Sequence, residues 1–332
     1  MDQILKYFPI NIKVILEKEI GEKKNSLEEI RIRVQKPIIL KFNSGEKIVR
    51  YFITQEEILN ILQYVCENSI YSYQKQISEG FVTVTGGHRV GISGSCVMEN
   101  GKVININYIN GLNFRIARQV IGASEKILES ILDVDKNSIR NTLIVSPPGC
   151  GKTTILKDLV KQISSGIRQK KFKGIDVGVV DERGEIAALY KGVPQNEIGI
   201  KTDVMSNVTK SIGLKMLIRS MAPQIVVADE IGTKEDVDII NYAMCSGCKG
   251  IFTAHGSNFD ELYLNPIIKE LINNHIFELI VFLDEKIKGE IKELYILDKK
   301  MTQYKKEEKR KIKDNAGLDF LLGENDGIDK MF

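Results

Sequence analysis

Hydrophobic and polar positions follow mixed patterns in the first third of the chain. Residues 30–34 read Ile-Arg-Ile-Arg-Val, and alternation with period two is typical of a half-buried strand. Thr54 and Glu57 have the capping-box spacing ahead of an apolar helical run, so we predict a helix that begins there. Residues 81–94 contain two extended runs around a Gly-Gly turn and predict a β-hairpin. These short helices and strands predict an N-terminal α+β domain over residues 1–132.

The pattern changes after a polar stretch at residues 133–140, which we interpret as a linker. Beyond it, continuous apolar runs typical of buried strands alternate with helical segments, and this alternation indicates a parallel βαβ sheet. We therefore predict a larger α/β domain over residues 141–300. Its predicted strands are residues 143–145, 177–180, 225–228 and 251–254, with a closing antiparallel pair at 279–283 and 294–297.

Composition is that of an ordinary globular protein with two domains. The chain has 332 residues, of which 43% are hydrophobic and 27% charged, values that exclude disordered and collagen-like classes. No uncharged apolar run approaches the roughly 18 residues that cross a bilayer, and the first 20 residues carry too many charges for a signal peptide. The five cysteines are scattered, so we expect reduced thiols and a cytoplasmic protein.

Positive charge is concentrated near the C-terminus. The formal net charge is +3, and residues 299–313 alone carry +6, so the remainder carries −3. A nearly neutral body argues against a surface that coats nucleic acid, and we expect no nucleic-acid partner. We predict that residues 301–332 form a basic, flexible tail, which either is simply solvated or meets anionic lipid or a membrane protein.

The segment 146–154, Ser-Pro-Pro-Gly-Cys-Gly-Lys-Thr-Thr, resembles the Walker A pattern, with Ser146 where the first glycine belongs. A buried strand runs into it and an amphipathic helix leaves it, and backbone N–H groups at such a helix start bind phosphate. We predict that Lys152 reaches the β- and γ-phosphates of ATP, that Thr153 binds Mg²⁺, and that Thr154 lies near the α-phosphate. The predicted nucleotide-binding residues of this loop are Pro148, Gly149, Cys150, Gly151, Lys152, Thr153 and Thr154.

Two predicted strands end in carboxylates, as a nucleotide-bound metal and an attacking water require. Asp229 and Glu230 form a Walker B pattern, in which Asp229 would hold Mg²⁺ through water and Glu230 would polarise the attacking water. Glu182 follows another strand and could be a second base, with Arg183 after it as a phosphate or subunit contact. The spacing does not decide which glutamate is the base. His255 ends the next strand and is a candidate sensor of the γ-phosphate, or else a structural histidine.

The order of these motifs resembles that of the secretion ATPase superfamily, which includes type II and type IV secretion ATPases and pilus motors. Within it, residues 80–91 and 113–118 resemble the stage III sporulation protein AA family of endospore-forming bacteria. The resemblance implies a RecA-like P-loop ATPase core, a homohexamer, and an active site between that core and the N-terminal domain.

The resemblance also implies roles for single residues. The matching positions are Glu182 in the Asp box, Asp229 and Glu230 in Walker B, and His255 in the His box. Arg219 belongs to a Leu-Ile-Arg motif before Walker B, and we count it with Arg183 among the nucleotide-binding residues. The predicted catalytic residues, including three N-terminal arginines that would approach nucleotide, are Glu230, Glu182, His255, Arg89, Arg115 and Arg118.

The leading hypothesis is an ATPase motor that couples Mg-ATP hydrolysis to the assembly of, or transport through, a membrane secretion-like channel during endospore formation. Such a motor would be cytoplasmic, peripheral at the mother-cell membrane, and bound to membrane proteins of the channel. One alternative is a nucleic-acid-stimulated ATPase, although the chain lacks Trp and has only 7% aromatic residues for base stacking. The other alternative is a nucleotide-gated scaffold with little turnover.

Overall fold

The computed structural model describes residues 2–298 and 303–307. Its first part is a six-stranded antiparallel sheet in the order β3-β2-β1-β6-β5-β4, packed against helices. The strands are β1 (Leu27–Arg33), β2 (Pro37–Phe42), β3 (Gly45–Phe52), β4 (Phe81–Val84), β5 (His88–Glu99) and β6 (Lys102–Arg115). The helices are α1 (Asp2–Leu5), α2 (Ile10–Ile20), α3 (Gln55–Val65) and α4 (Gln74–Ser78).

Local sequence signals explain these elements. In β1, Ile30 and Ile32 are buried while the arginine between them is partly exposed, as the period-two pattern predicts. The capping box before α3 is present, because Thr54 Oγ1 accepts the Glu57 N–H at 3.1 Å and the Glu57 carboxylate accepts the Thr54 N–H at 2.9 Å. The predicted hairpin is also confirmed, with β4 and β5 paired antiparallel.

The second part is built on an eight-stranded sheet in the order β13-β12-β14-β15-β9-β16-β17-β18. The strands of this part are β7 (Leu132–Asp133), β8 (Ser138–Ile139), β9 (Thr142–Val145), β10 (Gly166–Ile167), β11 (Phe172–Lys173), β12 (Val177–Asp181), β13 (Thr202–Ser206), β14 (Ile225–Ala228), β15 (Lys249–Ala254), β16 (Leu279–Leu283), β17 (Ile291–Leu297) and β18 (Tyr304–Lys306). The helices are α5 (Glu125–Ile131), α6 (Lys152–Ser165), α7 (Lys210–Ser220), α8 (Lys234–Cys245), α9 (Phe259–Leu264) and α10 (Pro266–Asn273).

In this sheet order, the first six strands, from β13 through β9 to β16, are parallel to one another. Strands β17 and β18 extend the sheet in antiparallel orientation. Two apolar clusters cover its faces, one with side chains of α5 and α6 and the other with side chains of α7, α8 and α10. Strands buried on both faces favour apolar residues at every position, which is why β14 and β16 are continuous hydrophobic runs and β9 is one after Thr142. The predicted α/β architecture with a smaller N-terminal α+β domain is therefore confirmed.

The structure differs from the predicted domain boundaries in two respects. Helix α5 buries its apolar face in the second domain, and β7 and β8 pair as a hairpin within residues 132–139, so this polar stretch is a turn on the second domain. Residues 116–124 form the irregular connection instead. Within the predicted tail, β18 pairs with β17, while residues 301–302 and 308–332 lie outside the described residues. Among the described helices, none is long and apolar enough to cross a membrane.

Candidate nucleotide site

The loop between β9 and α6 has a backbone conformation that depends on two glycines. Gly149 and Gly151 have φ angles of +82° and +102°, which side chains rarely tolerate. Space beyond Gly149 is open, whereas the Gly289 N–H donates to the Cys150 carbonyl at 2.9 Å and holds the loop from one side. Ser146, which replaces the first glycine of the pattern, is not among the residues with positive φ, so its side chain causes no backbone strain.

Lys152 is the first residue of α6, and its ammonium lies across this loop. Its Nζ donates to the Pro147 carbonyl at 3.1 Å, contacts Ser146, and lies 3.2 Å from His255 Nδ1. The residue is buried, and burial lowers the pKa of Lys152 while nearby Asp229 opposes the shift. The predicted phosphate-binding lysine is thus positioned over the loop that would hold the phosphates.

A contact between a hydroxyl and a carboxylate follows directly after Lys152. Thr153 Oγ1 donates to Asp229 Oδ2 at 2.7 Å, and the Thr253 hydroxyl donates to the other oxygen of the same carboxylate. A hydroxyl and a carboxylate that meet at a helix N-terminus are hard oxygen ligands of the kind Mg²⁺ takes. Among the described residues no cluster of three or more His, Cys, Asp and Glu forms, so phosphate oxygens and water would complete the coordination.

Glu230 and His255 form a connected pair beside the loop. The His255 Nε2 atom lies 3.4 Å from Glu230 Oε1, and the other carboxylate oxygen of Glu230 is paired with Arg183. The tautomer that accepts from Lys152 at Nδ1 and donates to Glu230 from Nε2 satisfies both contacts. Glu230 has a φ of +53°, and its N–H donates to the Thr253 hydroxyl at 2.8 Å, so the turn after β14 is fixed.

The N-terminal domain contributes Arg89, which reaches across the domain boundary. Its Nη1 donates to Glu185 Oε1 at 2.7 Å, and its guanidinium stacks over the Phe81 ring, 4.6 Å from the centroid. The Nε and Nη2 atoms are buried and have no hydrogen-bond partner in the described part of the chain. Burial lowers the pKa of Arg89. Unsatisfied guanidinium groups of this kind fit an anionic ligand.

These groups surround one cavity of about 390 Å³ between the two domains. Five of its side chains are cationic and two are anionic, and this excess of positive charge favours a polyphosphate. The cations are Arg89, Arg115, Lys152, Lys157 and Lys288, and the carboxylates are Glu185 and Glu230. Sequence reasoning missed Lys157 and Lys288. Lys157 carries one usable signal, because it lies four residues after Thr153 and therefore on the same helix face.

Six predicted site residues do not line the cavity, and Asp229 among them reaches it only through its hydrogen bond with Thr153; they are Glu182, Arg118, Arg219, Arg183, Cys150 and Asp229. Glu182 pairs with Lys210 at 2.8 Å, because the strand end turns its side chain towards α7 while Asp181 faces inwards. Arg118 donates to carbonyls of the N-terminal domain, including that of Leu27 at 2.7 Å. Arg219 lies on the outer face of α7, and Arg183 joins the site only through its ion pair with Glu230.

Within the loop itself, Pro148, Gly149, Gly151, Lys152, Thr153 and Thr154 line the cavity. Cys150 is buried and directs its Sγ to the Pro148 carbonyl at 3.8 Å. Its side chain therefore packs within the loop and does not line the cavity.

Several contacts hold the two domains around the cavity. The Gly86 N–H donates to Gln195 Oε1 at 2.7 Å. In the connection, the side chain of Gln119 bonds to the backbone of Glu197 in both directions, at 2.7 and 2.8 Å. Gly87 packs so closely that a β-carbon there would lie 2.9 Å from that of Ala188. The two domains therefore pack closely against each other beside the cavity.

Comparison with solved structures supports the fold. The chain has a RecA-like fold: the ATPase DotB of Legionella pneumophila matches with a TM-score of 0.54 at 12% identity, over 89% of this chain and 82% of that one. The pilus retraction motor PilT, solved with bound ADP, matches with a TM-score of 0.51 at 16% identity, over 80% and 77%. Identities this low establish the fold alone.

Sequence comparison defines the family. The family described as Sporulation stage III, protein AA, matches residues 1–302, and the chain belongs to it. A relative, Stage III sporulation protein AA of Bacillus subtilis (strain 168), is 36% identical over 299 residues, which cover 90% of this chain and 96% of that protein. The family resemblance inferred from the motifs is therefore confirmed.

Proposed function

We propose that this chain is a secretion-type ATPase that couples Mg-ATP hydrolysis to the assembly of, or transport through, a membrane secretion-like channel during endospore formation. The observation that carries the proposal is the contact between Thr153 at the start of α6 and Asp229 at the end of β14, at 2.7 Å, beside the glycine loop. The family supports the sporulation setting, and the fold supports a motor of the secretion class.

The residues divide the work of hydrolysis. Backbone amides of the loop and Lys152 would hold the phosphates, and Thr153 with Asp229 would hold a magnesium ion. The ion, when bound, supplies positive charge that stabilises the transferring phosphoryl group. Glu230 orients the attacking water, and His255 keeps its carboxylate directed at the cavity. We assign the base role to Glu230, because Glu182 is engaged by Lys210 outside the cavity.

The boundary between the domains supports coupling to movement. Arg89 and Arg115 enter the cavity from the N-terminal domain, whereas the phosphate loop belongs to the second domain. An ATP molecule bound between them would favour closure, and loss of the γ-phosphate would release it. We further propose a homohexamer, bound to membrane proteins of the channel at the mother-cell face of the membrane.

The test is the steady-state ATPase rate of purified protein with Mg²⁺. Lys152→Ala and Glu230→Gln should each lower kcat about 100-fold or more, because each removes a group that acts on the reacting phosphate or water. Lys249→Ala is the matched control and should leave kcat unchanged, since Lys249 pairs with Glu278 at the opposite end of the parallel strands. Glu182→Gln should retain most of the rate.

Two other results would replace the proposal. A parent rate equal to that of Glu230→Gln, with intact Mg-ATP binding, would favour the nucleotide-gated scaffold. A rate that rises strongly with single-stranded DNA or RNA and falls again with salt would favour the nucleic-acid-stimulated ATPase. Absence of Mg-ATP binding in folded parent protein would contradict all three functions.

A further inference from the structure

Lys157 is a buried lysine that the proposed hydrolysis mechanism does not use. It lies on α6, four residues after Thr153, is 8% exposed, and lines the cavity between the domains. Across residues 2–298 and 303–307, no hydrogen bond or ion pair to its ammonium forms. A largely buried lysine without a direct partner costs stability, because nearby carboxylates return only part of what its charge has lost in hydration.

The carboxylates around Lys157 are already bonded to other groups. Burial lowers the pKa of Lys157, while Glu185, Asp181 and Asp229 oppose that shift and Arg89 adds to it. Glu185 pairs with Arg89, Asp181 accepts four backbone N–H groups, and Asp229 accepts two hydroxyl groups. The lysine therefore lies in a field of negative charge but has no carboxylate of its own, which leaves its N–H groups for a ligand.

The position of Lys157 indicates which part of a ligand it would meet. Side chains on a helix lean towards its N-terminus, so the ammonium points to the phosphate end of α6, on the face of Thr153. Arg89 approaches the same region from the other domain with unpaired Nε and Nη2 atoms, and both residues are close to Glu185. Two cations from two domains thus converge beyond the loop that would hold the inner phosphates.

We propose that Lys157 binds the terminal phosphate of ATP and thereby makes the site prefer ATP over ADP. The inference rests on the proposed ATPase function, and it adds a specificity residue to the phosphate loop. Arg89 would bind the same terminal phosphate from the N-terminal domain. Binding by Lys157 would therefore couple the presence of the γ-phosphate to the position of that domain.

The experiment measures affinity and stability together in Lys157→Met, a variant of similar length without charge. Dissociation constants are measured for Mg-ADP and for a magnesium complex of a non-hydrolysable ATP analogue, and melting temperature is measured without nucleotide. We expect the analogue to bind about tenfold or more weaker and ADP to change by less than about threefold, because a hydrogen bond to a charged group is lost only with the γ-phosphate. We also expect a higher melting temperature, because the unpaired buried charge is gone.

Lys161→Met is the matched control, because Lys161 is on the same helix one turn further and pairs with Glu197 at the surface. It should change neither affinity. Lys157→Arg, which keeps the charge, should retain the preference for the ATP analogue. Equal losses for analogue and ADP, or no loss in Lys157→Met while the parent binds both, would overturn the inference and leave the ATPase proposal intact. A folded parent that binds neither nucleotide would overturn both.

Discussion

Asp181→Asn should strongly destabilise the second domain and loosen the wall of the cavity opposite the phosphate loop. Asp181 is the last residue of β12 and is 2% exposed. Its two carboxylate oxygens accept four backbone N–H groups, from residues 185–188, at 2.7 to 3.0 Å. Glu185 and Ala188 in that segment line the cavity, so the carboxylate supports the site without touching a ligand.

The magnitude follows from the geometry of the four bonds. An asparagine keeps one oxygen, so two N–H donors would face an amide nitrogen that cannot accept from them. Each buried donor left without an acceptor costs about 1–3 kcal/mol, which gives a loss of about 2–6 kcal/mol. Because the free energy of unfolding of a domain is about 5–15 kcal/mol, this loss is a large part of the total.

The assay is urea denaturation of the parent and the variant without nucleotide, followed by circular dichroism, with the free energies compared at equal m-values. Asp176→Asn is the control, because Asp176 is exposed just before the same strand and the same chemical change there leaves no buried donor. A loss below about 1 kcal/mol in Asp181→Asn, or an equal loss in the control, would refute the reasoning.

Two further changes test the close packing at Gly87 and the protonation of His88. Gly87→Ala should destabilise the protein by about 1–3 kcal/mol more than Gly101→Ala in thermal or urea unfolding, because both glycines have positive φ but only at Gly87 would a β-carbon meet Ala188, at 2.9 Å; equal effects would contradict the close packing. Burial lowers the pKa of His88 to about 4, so its neutral form is favoured in the folded state. The contribution of neutral His88 to the free energy of unfolding is complete above the unfolded pKa near 6.5. It is lost as the pH falls towards about 4, and the loss amounts to up to about 3 kcal/mol. The difference in unfolding free energy between the parent and His88→Asn should therefore shrink between pH 7 and pH 4.5, and a constant difference would show that His88 does not titrate this way.

The parts of this protein that depend on near neighbours in the chain could be predicted from sequence. The loop between β9 and α6 is one of them, because Gly149 and Gly151 supply the positive φ angles and Lys152 starts the helix within one short segment. The capping box of α3 is another, since its two hydrogen bonds join residues three positions apart. Strands buried on both faces, such as β14, are recognisable because they have no polar position.

Several sequence interpretations differ from the contacts in the structure where the partner of a residue comes from a distant segment. The polar residues 133–140 looked like a linker because a turn and a linker share the same composition, and only the packing of α5 on the second core tells them apart. Glu182 follows a strand that ends beside the site, but alternation along the strand and the ammonium of Lys210 direct it elsewhere. The family resemblance implies that Arg118 approaches the nucleotide, whereas in the structure Arg118 donates hydrogen bonds to carbonyls of its own domain.

The sequence by itself determined the fold class, the family and the loop that would hold phosphate, because periodicity and local spacing are properties of the chain. Only the tertiary structure decided which charges share the cavity. Arg89, Lys157 and Glu185 are far apart in sequence and meet because an N-terminal strand, the helix after the phosphate loop and the turn after β12 converge at one boundary. The energetics of a buried charge depend on every group within a few ångströms, and that set is fixed by folding.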